Sequence, residues 1–149
     1  MKEQLELVTE EDRDIFIVMS LQDKAYELIK SGLKNYEFRR RWRKGPCVAY
    51  IYRSGKCRTL SAVVRLGMPI YMSPKEAGRI AESMITGNGK SVEEYFMKDN
   101  GGYVIPIESF EEIKPLELNV LRQFGFYPPQ FFSYLDVNSP LFKFIRKPI

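Results

Sequence analysis

From Lys34 to Met72 the sequence offers four strand-like runs in succession, with no helical period between them. Lys34–Arg41 comes first, and Pro46–Tyr52, Leu60–Leu66 and Ile70–Met72 follow, rich in β-branched and aromatic side chains. Ser54-Gly55 ends the second run, and Gly67 with Pro69 predicts a bulge or bend before the last. Parallel strands in a doubly wound sheet need a helical crossover between them, so this succession excludes that architecture.

Helices are expected on either side of this block. Ile15–Met19 is apolar at consecutive positions, as in a strand buried on both faces. Ser20 is placed to N-cap a helix with Asp23 in its first turn, Ala25, Leu28 and Ile29 on its apolar face, and Gly32 as its stop. Ser73-Pro74-Lys75-Glu76 combines a capping box with proline at the first helical position, and Ile80, Met84 and Ile85 supply the stripe. Ser91-Val92-Glu93-Glu94 predicts a second box, leading a helix through Phe96. After Gly101-Gly102, Tyr103–Ile107 reads as a strand near a sheet edge, because Pro106 cannot donate to a ladder. Residues 115–126 predict a short helix and turn, Tyr127–Leu135 an aromatic strand, and Ser139-Pro140 a closing helix with Leu141, Phe142 and Ile145 inward. This order predicts an α+β fold: a small, partly closed mixed β-barrel with helices inserted between strands. A chain of 149 residues suits one domain, residues 15–149, preceded by a charged arm over residues 1–14.

Charge is distributed unevenly. Residues 1–36 carry five basic and eight acidic side chains, and residues 66–149 carry nine and ten. Residues 37–65 carry nine basic side chains against Glu37 alone, so the formal excess of +4 arises in that segment. Its centre is Arg39-Arg40-Arg41-Trp42-Arg43-Lys44, which surrounds the only tryptophan with cations. Such a run suits a polyanion with flat bases, and equally an edge strand with a solvated face.

What the sequence lacks also narrows its chemistry. It has no histidine, which excludes Ser-His-Asp and Cys-His catalysis and imidazole metal sites. Cys47 and Cys57 are too widely spaced for a zinc pair, so neither a metal nor a cofactor is expected. Two thiols, an acidic amino terminus without an apolar signal core, and no apolar run approaching ~20 residues predict a cytoplasmic protein with no membrane partner.

With these elements in place, Met19-Ser20-Leu21 and Gly32-Leu33-Lys34-Asn35-Tyr36-Glu37-Phe38-Arg39 resemble the ASCH domain (activating-signal-cointegrator homology) of the PUA-like superfamily, with its Gly-x-Lys-x-x-Glu-x-Arg signature. The strand after Gly102-Tyr103, Pro115-Leu116 and Pro128-Pro129-Gln130-Phe131 extend the resemblance over most of residues 15–135. The resemblance implies a PUA-like barrel, a cleft beside the signature, and RNA binding; some relatives act on modified nucleosides or cut RNA. Gln22-Asp23 stands where many relatives have Lys-Pro, and Glu37 where deacylating relatives have threonine, so deacylation of a modified cytidine is not implied.

The expected function is an RNA- or nucleotide-binding module rather than an enzyme. Its cleft is edged by Ser20, Gln22, Lys34, Glu37 and Tyr103, with Arg39 at the signature position and Arg41, Trp42, Arg43 and Lys44 as a phosphate-gripping, base-stacking rim. One alternative is a hydrolase of modified nucleosides or RNA with Lys34 and Glu37 as acid–base pair. Another is a protein-interaction module using Trp42 and the C-terminal aromatics. Alternation sets Glu37, Arg39 and Arg41 on one strand face and Tyr36, Phe38 and Arg40 on the other. Phe131 and Phe132 must likewise part, one of them inward, and packing is the expected role of that aromatic segment.

Overall fold

The run of consecutive strands forms the frame of the molecule. The computed structural model describes residues 14–146. The elements are β1 (Phe16–Gln22), α1 (Asp23–Lys30), β2 (Tyr36–Arg39), β3 (Cys47–Ser54), β4 (Thr59–Leu66), β5 (Ile70–Met72), α2 (Pro74–Met84), α3 (Gly89–Met97), β6 (Gly102–Glu117), α4 (Leu118–Gln123), β7 (Phe132–Tyr134) and α5 (Pro140–Arg146). The expected arm lies, up to residue 13, outside the described residues. The strands make one seven-stranded sheet in the order β2-β6-β4-β3-β1-β7, with β5 also on β6. Only β1 and β3 run parallel; α1 and β2 lie between them in sequence and supply the crossover. The mixed sheet curls into a half-barrel, and the fold is α+β, as the sequence predicts.

Each sheet face has its own core. Ile17, Met19, Ile51, Val64, Leu66 and Ile105 point into the half-barrel, where α1 closes over them with Tyr26 and Ile29. Phe16, Val18, Tyr50 and Leu60 point outward, beneath Leu121 of α4 and Leu141 and Phe142 of α5. A third cluster joins Tyr36 and Phe38 of β2 and Val104 of β6 to Ala77 of α2 and Phe96 of α3. Burial of each large apolar side chain contributes roughly 1.5–3 kcal/mol, so strands covered on both sides hold the sheet's shape. Helices α2 and α3 touch through backbone: a Cβ on Gly78 would lie 2.9 Å from the Gly89 carbonyl oxygen.

Several elements depart from the expectation. Ser20 remains in β1 and does not cap α1; Gln22 holds the N-cap position without a side-chain bond. The strand runs on because the Ser20 amide donates to the Phe131 carbonyl (3.2 Å) and its Oγ to the Pro129 carbonyl (2.6 Å). The capping box at Ser73 is present, but α3 starts at Gly89 rather than at a box on Ser91, because Glu82 of α2 takes the Gly87 and Gly89 amides at 2.9 Å each. β2 is shorter than Lys34–Arg41: residues 33 and 34 finish the end of α1, and Arg39 already faces Tyr103, near the start of β6.

The largest departure is β6. It is 16 residues long and lies inside the sheet, bonded to β2, β4 and β5, rather than a short edge strand ending at Ile107. Pro106 is accommodated where β6 changes partner: it faces Tyr36 at the last β2 pair, and its carbonyl accepts the Gly67 amide. Beyond it, Phe110, Ile113 and Leu116 recur every three residues, which hides the strand from a period-two reading. Between Leu116 and Glu112 the strand advances four residues while β4 advances two. That bulge turns Phe110 inward but Ile113 and Leu116 outward, and it displaces the start of the following helix to Leu118.

Candidate nucleic-acid interface

The end of α1 aims the first candidate side chain. The Gly32 amide donates to the Ile29 carbonyl and the Leu33 amide to the Leu28 carbonyl, the paired bonds of a Schellman ending, with Gly32 at φ +81°. The Lys34 amide also bonds the Leu28 carbonyl (3.0 Å), so the chain reverses and Lys34 leans back over the mouth of the half-barrel. An open groove of about 420 Å³ lies there, between Ser20–Gln22 of β1, the Lys24–Leu28 side of α1, and Lys34, Glu37 and Arg39.

Strand alternation then sets a carboxylate on the groove floor. Tyr36 and Phe38 turn toward α2 and α3, whereas Glu37 and Arg39 share the inward face with their cross-strand neighbours Ile105 and Tyr103. Glu37 is only 3% exposed. Its Oε1 pairs with the Lys34 ammonium, and its Oε2 accepts Nε (3.0 Å) and Nη2 (2.8 Å) of Arg39. Burial pushes the Glu37 carboxyl up, but the Lys34 and Arg39 charges and hydrogen bonds outweigh it and hold the group below the usual carboxylate range. Placing an ion in a poorly hydrated site costs several kcal/mol, and this arrangement offsets it by giving each oxygen its own cation. Two cations around one anion leave a local excess of one positive charge, to which Lys24 adds at the groove wall.

A second cleft, about 450 Å³ and more enclosed, adjoins the first across Arg39 and Tyr95, which line both. Its other walls are Arg40, Arg41, Trp42, Phe131 and Phe132. Trp42 is half-buried against Phe132, with ring centroids 4.9 Å apart, and the Arg39 guanidinium lies 5.9 Å from its ring centre. Arg40 turns the opposite way, as alternation requires, with its guanidinium 5.2 Å from the Tyr95 ring and 3.7 Å from Asp99. The buried Nε of Arg40 and Nε1 of Trp42 have no acceptor among the described residues.

The candidate residues thus divide. Ser20, Gln22, Lys34, Glu37 and Arg39 meet at the first groove; Arg39, Arg41 and Trp42 meet at the second. Arg43 turns away to close its own loop, donating from Nη1 to the Gly45 (2.8 Å) and Pro46 (2.9 Å) carbonyls. Lys44 is exposed and, like Arg41, forms no ion pair among the described residues. Tyr103 lines neither cleft: it packs on the inner core and edge-on to Tyr71. The glycines before it serve packing, since a Cβ on Gly102 would lie 2.7 Å from the Phe96 ring and one on Gly101 would strike Tyr71. Lys24 and Tyr95 join the lining without being candidates in the sequence, and Phe131, expected to pack, lines the second cleft. Phe132 is the inward member of the aromatic pair, and Phe131 is 65% exposed. Tyr95 precedes the buried Phe96 in α3, so the edge of that helix's apolar stripe was its only signal.

No protein-family model matches the sequence, and no curated protein matches it. Solved structures do. The ASCH protein of Zymomonas mobilis superposes with a TM-score of 0.70 at 21% identity, covering 81% of this chain and 87% of that one. Two variants of it superpose with TM-scores of 0.71 and 0.70 at 21% and 20% identity, each over 81% of this chain and over 88% and 90% of theirs. At one-fifth identity this likeness establishes the ASCH fold; ligand and chemistry rest on the site itself.

Proposed function

We propose that this ASCH-fold chain is an RNA- or nucleotide-binding module whose ligand lies in the groove beside Lys34, Glu37 and Arg39. The observation that carries the proposal is the buried Glu37 held between two cations on the groove floor. The carboxylate offers fixed acceptor oxygens to the N–H edge of a base, while the surrounding positive excess attracts its phosphate. Ser20 and Gln22 edge the same groove, and Arg41 and Lys44 stand beyond it as screened, non-selective phosphate contacts.

The same pairing favours binding over acid–base hydrolysis. A carboxyl held below its ordinary range has no proton to donate at neutral pH. The protein-interaction reading has less support, because Trp42 is packed against Phe132 and the inner core.

Filter binding of single-stranded and hairpin RNA across a salt series tests the module. Binding should weaken steeply with salt, log K falling against log [salt] by about 0.7 per phosphate contact on a single strand. Absent or salt-insensitive binding sinks the proposal. RNA or acyl-nucleoside turnover that disappears in Lys34→Ala would establish the hydrolase instead.

A further inference from the structure

We infer that the Trp42–Phe131 cleft is a base-stacking subsite for the nucleotide next to the one in the Lys34–Glu37 groove, so that the preferred ligand is a single strand of at least two nucleotides rather than a mononucleotide or a duplex. This rests on the reading of the first groove as a nucleotide site. Three observations support it. The two clefts adjoin at Arg39 and Tyr95, which line both, and are of nearly equal size, about 420 and 450 Å³. Each is in the range that takes one small ligand unit.

Phe131 is the second observation. It is 65% exposed at the cleft wall, yet its backbone is not free: its carbonyl accepts the Ser20 amide, and the Pro129 carbonyl accepts the Ser20 Oγ. An apolar ring shown to solvent from a pinned backbone, beside the half-buried Trp42, is the arrangement of a stacking platform. Both hydrogen bonds come from Ser20, which lines the first groove, so the two clefts are mechanically joined.

Charge is the third. Arg39, Arg40 and Arg41 line the aromatic cleft, which fits an anionic occupant with flat rings and not a neutral apolar segment. Arg39 uses Nε and Nη2 on Glu37, and its Nη1 remains for a phosphate between the two units. A duplex keeps its bases paired and stacked, so it cannot insert one here.

Trp42 is the only tryptophan, so its fluorescence reports this cleft alone. The experiment titrates the full chain with uridine monophosphate, oligouridylates of two to eight nucleotides and an RNA duplex, following Trp42 emission and, independently, binding by competition against a labelled oligomer. The oligomers should quench Trp42 and bind at least ~10-fold more tightly than the mononucleotide and the duplex. Phe131→Ala should weaken oligomer binding roughly 5- to 150-fold, the worth of one stacked base, and leave the mononucleotide unchanged; Phe131→Tyr should restore it. Because Phe131 is exposed, the alanine variant keeps its fold, which its melting temperature verifies. Oligomers that bind without quenching and indifferently to Phe131→Ala overturn the subsite while the module stands. Equal affinity for mononucleotide, oligomer and duplex overturns it too, and no binding by any probe overturns both readings.

Discussion

Two halves of one basic segment, Gly32–Arg39 and Arg40–Lys44, handle their charges in opposite ways. In the first, Lys34 and Arg39 converge on one buried carboxylate, each fixed by a helix ending or a strand register. In the second, four cations and the tryptophan are adjacent in sequence but scatter in space: Arg40 goes to Asp99 and Tyr95, Arg43 to its own loop carbonyls, and only Arg41 and Lys44 are exposed without an ion-pair partner among the described residues. Charge density along a sequence is therefore a poor measure of charge available to a ligand. The sparser half gathers its charges around one buried carboxylate; the denser half lines part of the aromatic cleft and otherwise spreads its charge.

The comparison breaks most readily at Glu37. Glu37→Gln should destabilise the fold by about 3–5 kcal/mol, since it leaves two cations facing a buried neutral amide, measured by urea denaturation. A loss under about 0.5 kcal/mol, the ordinary surface effect, would show that the carboxylate is not the keystone of the first half. Trp42→Ala should cost about 2 kcal/mol, below the range for fully buried aromatics because the ring is half-buried, and should weaken oligomer binding beyond what that loss explains.

Acid should separate the halves next. The folded pKa of Glu37 lies below its unfolded value, so the unfolded chain binds more protons between the two. The stabilisation is then present above the unfolded carboxylate value, about pH 4.3, and is lost as pH falls through the lower folded value. The stability gap between wild type and Glu37→Gln should therefore narrow below about pH 4; a gap independent of pH down to 2 would contradict the assignment. The smallest effects belong to the exposed cations. Arg41→Ala with Lys44→Ala should change stability by less than about 0.5 kcal/mol, while the salt dependence of RNA binding becomes shallower by about 1.4 in log–log slope. An unchanged slope would remove them from the phosphate path.

Much of the fold was legible because local signals agreed with the global answer. Gly32, Ser73-Pro74 and Ser139-Pro140 punctuate the chain where the sequence says they should, and the strands expected over Pro46–Tyr52 and Leu60–Leu66 form as Cys47–Ser54 and Thr59–Leu66. The errors lie where tertiary partners overrode a local pattern. Ser20 bonds the distant Pro129 carbonyl instead of capping α1, Glu82 took over the start of α3, and a bulge absorbed the apolar spacing of three in β6.

The site divides along the same line. Residue order alone dictates that Glu37 and Arg39 share a face, that Arg40 turns the other way, and that Phe131 and Phe132 part, because side-chain alternation is a property of any extended backbone. It also determined the absence of histidine chemistry, which no fold can restore. Long-range packing sets the rest: Glu37 is buried, Tyr103 packs on the inner core, Phe131 faces solvent, and Tyr95 joins Arg39 in lining both clefts. Those outcomes depend on which element closes over each strand face, and such contacts between residues far apart in the chain leave no period in the sequence around either partner.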